Sequence, residues 1–116
     1  MTDHWHPLIA ESEFPADAKF AAKVAGWHVF IARTDAGYHA FNDRCTHQAA
    51  RLSQGRIRRG EIMCPLHGAR FDLVTGKCSG NAYRALRTFA LRIENGMIEI
   101  SVPQELPGMD DLPSLI

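Results

Sequence analysis

The residues best suited to chemistry in this chain fall in one stretch, CTHQAARLSQGRIRRGEIMCPLH, residues 45–67. It holds Cys45 and His47, then, after sixteen residues, Cys64 and His67. These are two of the three cysteines and two of the six histidines. Thiolates and imidazoles are metal ligands, and at this spacing they admit two readings. One is a tetrahedral zinc site of two thiolates and two imidazoles. The other is a two-iron, two-sulfur cluster with both cysteines on one iron and both histidines on the other. Four unrelated residues are not expected to recur as Cys-x-His and Cys-x-x-His within one glycine-rich region. Zinc fingers usually pair cysteine with cysteine and histidine with histidine. Here each short loop supplies one of each, which suits a centre whose two metals differ in ligands.

Such loops need a scaffold, and the flanking sequence reads as short strands. Strands are expected near Lys19–Val24, Trp27–Arg33 and Tyr38–Asn42, broken at Gly26 and at Asp35-Ala36-Gly37. Two more surround Asn95-Gly96, a hairpin signal because a type I′ turn needs positive φ at both positions. Around it Leu91, Ile93, Met97 or Ile98, Ile100 and Val102 alternate with polar residues. No segment shows helical periodicity; at most a turn lies near Ala49–Ser53. The expected fold is all-β: an antiparallel sandwich or open barrel with an inserted cluster-binding subdomain. The chain reads as one domain, with a basal β part at about 1–42 and 85–103. The subdomain spans about 43–84, with Gly55, Gly60, Gly68, Gly76 and Gly80, and the tail is 104–116. That tail, rich in proline and acid, is expected to lie on the surface or fray.

Composition narrows the function classes. The 116 residues are 46% hydrophobic and carry 13 basic against 13 acidic side chains, so nothing global points to nucleic acid or an anionic membrane. The apolar runs are too short to cross a bilayer, and the N-terminus lacks a secretory pattern. A cytoplasmic location is expected, where an odd number of cysteines argues for metal or redox chemistry over a disulfide framework. Nothing demands more than a monomer.

The loops CTH and CPLHGARFD resemble the two cluster-binding loops of the Rieske family. Over the rest of the chain, ARTDAGYHAFNDRCTH and FDLVTGKC are similar to the small Rieske ferredoxins of bacterial aromatic-ring-hydroxylating oxygenase systems. The resemblance implies a Rieske [2Fe-2S] cluster, with Cys45 and Cys64 on the buried iron and His47 and His67 on the iron nearest solvent. Two ferric ions, two sulfides and two thiolates sum to zero charge. One added electron then leaves a single negative charge, where four thiolates would deepen a charge already negative. That difference raises the potential in a medium of low dielectric. The resemblance further implies one-electron transfer from an NAD(P)H-dependent ferredoxin reductase to a terminal oxygenase, with no catalytic residues of the chain's own. A Rieske subunit of another cytoplasmic reductase or oxidase, and a zinc-stabilised binding module, are the alternatives.

Several positions place the chain within that family. High-potential Rieske proteins carry an extra cysteine in each loop, joined as a disulfide; Ala50 and Leu66 stand at those positions. They also direct a serine and a tyrosine hydroxyl at sulfur, where this chain has Ala69 and Phe71. Hydrogen bonds to sulfur stabilise the reduced state, so their loss predicts a potential near the low end of the Rieske range, about −150 mV. The family's covering loop often contains proline. Here it reads GKCSGNAYRAL, which predicts a more exposed cluster or a more mobile loop. Within it Cys78 reads as a small buried residue rather than a third thiolate ligand. His4 and His6 read as a polar strand end, His28 and His39 as sheet residues, and Trp27, Phe30 and Phe41 as core. Arg44, Arg51, Arg56, Arg58, Arg59 and Arg70 outnumber the three acids of residues 43–72. This hints at a positive face toward an acidic partner.

Overall fold

The structure, a computed structural model, describes residues 4–46, 49–66, 68–81 and 83–113. Nine strands form two antiparallel sheets, and no α-helix occurs among the described residues. The fold is the expected all-β one. The larger sheet contains β1 (His6–Ala10), β2 (Lys19–Val24), β3 (Trp27–Thr34), β4 (Gly37–Asn42), β8 (Thr88–Glu94) and β9 (Met97–Ser101), in the order β1-β9-β8-β4-β3-β2. The smaller is a meander of β5 (Arg56–Arg58), β6 (Glu61–Met63) and β7 (Arg70–Asp72). Four strands are additions to the sequence reading: β1, which begins at His6, and the three-residue strands of the meander, too short to show a period.

Strand β3 explains how the sheets are joined. Its sequence WHVFIART is apolar almost throughout because both faces are buried. Trp27, Val29 and Ile31 enter a core with Phe14, Val24, Ala40, Phe89, Ile98, Ile100 and Val102. Phe30 and Ala32, on the opposite face, enter a second core with Phe41, Leu52, Ile62, Phe71, Leu73 and Leu86. Alternate side chains of a strand point to opposite faces, so a strand covered on both sides loses the apolar–polar alternation of a half-exposed one. Phe30 faces Phe41 across β3 and β4, their ring centroids 5.5 Å apart. This aromatic pair forms the floor on which the smaller sheet rests.

The tail is tied down rather than frayed over its described residues. The Trp27 indole N–H donates to the Glu105 carbonyl (3.0 Å) and Asn42 Nδ2 to the Asp111 carbonyl (2.9 Å). Arg44 Nε donates to the Leu112 carbonyl (3.1 Å), and Arg87 meets the Asp111 carboxylate at 3.3 Å. The tail is a strap across one end of the larger sheet.

Candidate metal centre

The two cysteine loops are built alike. Cys45 N–H donates to the Ala50 carbonyl and Ala49 N–H returns to the Cys45 carbonyl, at 2.8 and 3.0 Å. Cys64 N–H donates to the Ala69 carbonyl and Gly68 N–H returns to the Cys64 carbonyl, at 2.7 and 3.2 Å. In each loop the fourth residue after the cysteine has positive φ, 46° at Ala49 and 73° at Gly68. The left-handed residue turns the chain back under its cysteine. Gly68 adopts this conformation without penalty, whereas Ala49 is held there by the surrounding bonds.

Both thiols are buried, in the same core as Phe30, Phe41 and Phe71. All three cysteines are described, and none forms a disulfide. His47 and His67 lie outside the described residues. The described part of the expected ligand set is therefore the thiol pair, and no group of three or more His, Cys, Asp or Glu suited to a metal occurs among the described residues. The chemistry of that pair fits an iron–sulfur centre. Two buried thiols on twin hydrogen-bonded turns, against an apolar floor, are donors of the kind an iron–sulfur cluster takes.

Neighbouring residues brace the loops. Asp43 is buried, and its carboxylate accepts from Ser53 N–H (2.8 Å) and Ser53 Oγ (2.5 Å), closing the base of the first loop. Thr46 Oγ1 donates to the Arg84 carbonyl (2.5 Å), fastening that loop to the covering segment. The segment is held elsewhere too. Leu86 N–H donates to the Gly76 carbonyl (2.8 Å), Ser79 Oγ donates to Glu61 (2.5 Å), and Cys78 bridges to Phe71 in β fashion. The lack of proline is thus offset by these bonds over the described residues. The turn before the segment is capped by Asp72, whose carboxylate accepts from Val74 and Thr75 N–H at 2.7 and 2.8 Å. Those bonds, Thr75 first, lower its pKa below the usual 3.8.

The other positions singled out in the sequence fall as follows. Cys78 is buried in the core with Cys45 and Cys64, its Sγ 3.5 Å from the Ser79 carbonyl. Ala50 is buried, whereas Leu66, its counterpart in the second loop, is 57% exposed. His28 lies on β3 and His39 on β4. Trp27, Phe30 and Phe41 are core. The brace made by Asp43 and Ser53 was missed by sequence reasoning. Its one signal was an acid two residues before the first cysteine, and nothing local names a partner ten residues away.

Comparisons with known proteins bear on this geometry. Residues 4–90 match the Rieske [2Fe-2S] domain. The chain is 39% identical over 101 residues to the anthranilate 1,2-dioxygenase ferredoxin subunit of Burkholderia cepacia, covering 84% of this chain and 92% of that one. It is 31% identical over 103 residues to the ferredoxin component of the naphthalene 1,2-dioxygenase system of Pseudomonas aeruginosa, covering 88% and 99%. Among solved structures it resembles a chain in the complex of reduced oxygenase and oxidised ferredoxin of carbazole 1,9a-dioxygenase. The TM-score is 0.77 at 25% identity, covering 91% of this chain and 100% of that one. The chain belongs to the Rieske [2Fe-2S] domain family, and its cofactor is the Rieske-type [2Fe-2S] cluster rather than zinc. It is of the ferredoxin type, an electron carrier and not a catalytic enzyme.

Proposed function

We propose that this ferredoxin takes single electrons from an NAD(P)H-dependent reductase and delivers them to a terminal aromatic-ring-hydroxylating oxygenase in the cytoplasm, working as a monomer. The observation that carries the reading is the pair of twin cysteine turns over one apolar core, in a chain that spans nearly the full length of dioxygenase-system ferredoxins. Among the described residues, no helix is long and apolar enough to cross a membrane. We assign residues 1–42 and 85–103 to the basal part, 43–84 to the cluster-binding part and 104–116 to the tail.

We assign Cys45 and Cys64 to one iron and His47 and His67 to the other. When bound, the cluster supplies reversible one-electron storage. The protein's part is to hold the thiolates in a dry core and to keep them there through a redox cycle. The backbone bonds under each cysteine and the Asp43–Ser53 brace serve that purpose. Phe71 and Ala69 bring no hydroxyl to sulfur, which favours a potential near about −150 mV, suited to a carrier fed from NAD(P)H.

The test is direct. Purified protein should contain two irons and two sulfides and show the rhombic resonance signal of a reduced Rieske centre. It should pass electrons from NADH through a dioxygenase-system reductase to its oxygenase, with coupled product formation. A colourless protein binding one zinc, or a midpoint potential well above zero by voltammetry, would overturn the assignment.

A further inference from the structure

The strands of the smaller sheet contain none of the four residues assigned to the cluster, yet their outer face has an unusual composition. Pairing in the meander sets Arg56, Met63 and Arg70 in one cross-strand row and Arg58, Glu61 and Asp72 in the next. Ile57, Ile62 and Phe71 alternate with them and pack into the core, so these rows face outward. Arg59 adds a fourth guanidinium at the β5–β6 turn. Arg56, Arg58, Arg59, Glu61, Met63 and Arg70 line a groove of about 290 Å³. A second cleft, lined in part by Cys64, Pro65 and Gly68, shares Arg56 and Met63 with it. The groove therefore runs from the arginines to the second cysteine loop.

Guanidinium groups outnumber carboxylates along this groove, four to the one of Glu61, whose carboxylate accepts from Ser79. All four are exposed, and none forms an ion pair with a carboxylate among the described residues. The chain as a whole is neutral, but residues 43–72 hold six arginines against three acids, leaving seven basic and ten acidic residues elsewhere. The charge is thus segregated toward the cysteine loops. Met63, 37% exposed, lines the groove, and Leu66, 57% exposed, follows Pro65 of the adjoining cleft. Apolar contacts beside a charged rim are the anatomy of a protein docking patch. Rim charge of one sign speeds encounter with a partner of the other sign.

We propose that this face, with Met63 and Leu66 as its apolar contacts and Arg56, Arg58, Arg59 and Arg70 as its rim, docks a carboxylate-rich surface of an electron-transfer partner protein. The proposal deepens the electron-carrier reading and rests on it. Docking here sets the partner beside the Cys64 loop. Basic rim contacts favour fast association without tight binding, as a carrier that must leave after each transfer requires.

The test uses holoprotein and, as probes, the purified reductase and oxygenase components of the Burkholderia cepacia anthranilate 1,2-dioxygenase system. Binding is measured by surface plasmon resonance across ionic strength. We expect wild-type binding to at least one component to weaken with salt. The Arg56→Glu/Arg58→Glu/Arg70→Glu variant should bind it roughly tenfold or more weakly, with a flattened salt slope. The milder Arg56→Gln/Arg70→Gln variant should lie between, and Lys23→Glu on β2 should match wild type. Unchanged affinity and slope in a triple variant that keeps its cluster spectrum overturns the proposal. So does wild-type binding to neither component, or salt-sensitive capture of a single-stranded oligonucleotide in preference to both. Failure of the carrier reading looks different: the cluster spectrum is absent, or NADH-dependent reduction fails in wild type itself.

Discussion

Asp43 shows how a single side chain can govern a loop that it does not belong to. It is buried, and its two bonds to Ser53 hold together the strands of chain on either side of the Cys45 turn. Asp43→Ala would leave the Ser53 N–H and hydroxyl unsatisfied at that base. The expected loss is about 1–3 kcal/mol in urea unfolding, with lower iron occupancy in the purified protein. His28 offers a second prediction, in pH. Its pKa is lowered, first by burial, then by the charges of Arg51 and Lys23, with Asp43 opposing. A histidine whose folded pKa lies below its unfolded value of 6.5 keeps the fold's full stability above pH 6.5. Stability is then lost as pH falls from 6.5 toward the folded value, because the unfolded chain takes up the proton first. The urea midpoint of His28→Gln should vary less with pH across that window than that of wild type.

At the scale of elements, the meander is held by close backbone approach. A Cβ on Gly55 would overlap the carbonyl oxygen of Met63, one residue before Cys64. The neighbouring groups are backbone, which cannot rotate aside. The Lys19 ammonium also donates to the Gly55 carbonyl, linking β2 to this point. Gly55→Ala should therefore separate β5 from β6, costing about 1–3 kcal/mol and destabilising the Cys64 turn. Faster bleaching of the visible cluster absorbance on warming would report it. Gly60→Ala is a useful contrast. Its φ is 78°, but no atom lies within 4 Å of the added carbon, so only the backbone conformation is penalised. The expected cost is about 1 kcal/mol, with the cluster unaffected.

Across the whole molecule, the strap joins the chain's end to the base of the first loop. Asn42 and Arg44 both donate to it, immediately before Asp43 and Cys45. The Arg87 guanidinium lies over the Trp27 ring at 5.0 Å while pairing with Asp111. That ion pair is exposed and contributes little by itself, about 0.5 kcal/mol, so Asp111→Ala should be nearly silent. Removing residues 104–116 should act differently. It strips main-chain acceptors from Trp27, Asn42 and Arg44 together, and a fall of about 2–3 kcal/mol in unfolding free energy is expected, read by denaturant titration of the holoprotein.

The family was legible in the sequence because Cys-x-His and Cys-x-x-His are local patterns of residue type and spacing; of the four donors they nominate, the structure describes Cys45 and Cys64. The long strands of the larger sheet were legible for a similar reason: β2, β3 and β4 carry enough apolar residues and turn signals to be found at nearly their observed bounds. The meander was not. Its strands are three residues each, too short for alternation to stand out, and their partners are chosen by packing on Phe30 and Phe41 rather than by neighbours in sequence. The strap was hidden too, since carbonyl acceptors at Glu105, Asp111 and Leu112 leave no mark in residue type. By itself, then, the sequence determined the family and nominated its metal donors, and it determined that strands must carry them. Only the tertiary structure decided that the two cysteine turns are copies of one another over a shared core, and that four arginines scattered through residues 56–70 line a single groove. Pairing between strands is a contest among non-local contacts, and it is settled by what the assembled faces can bury.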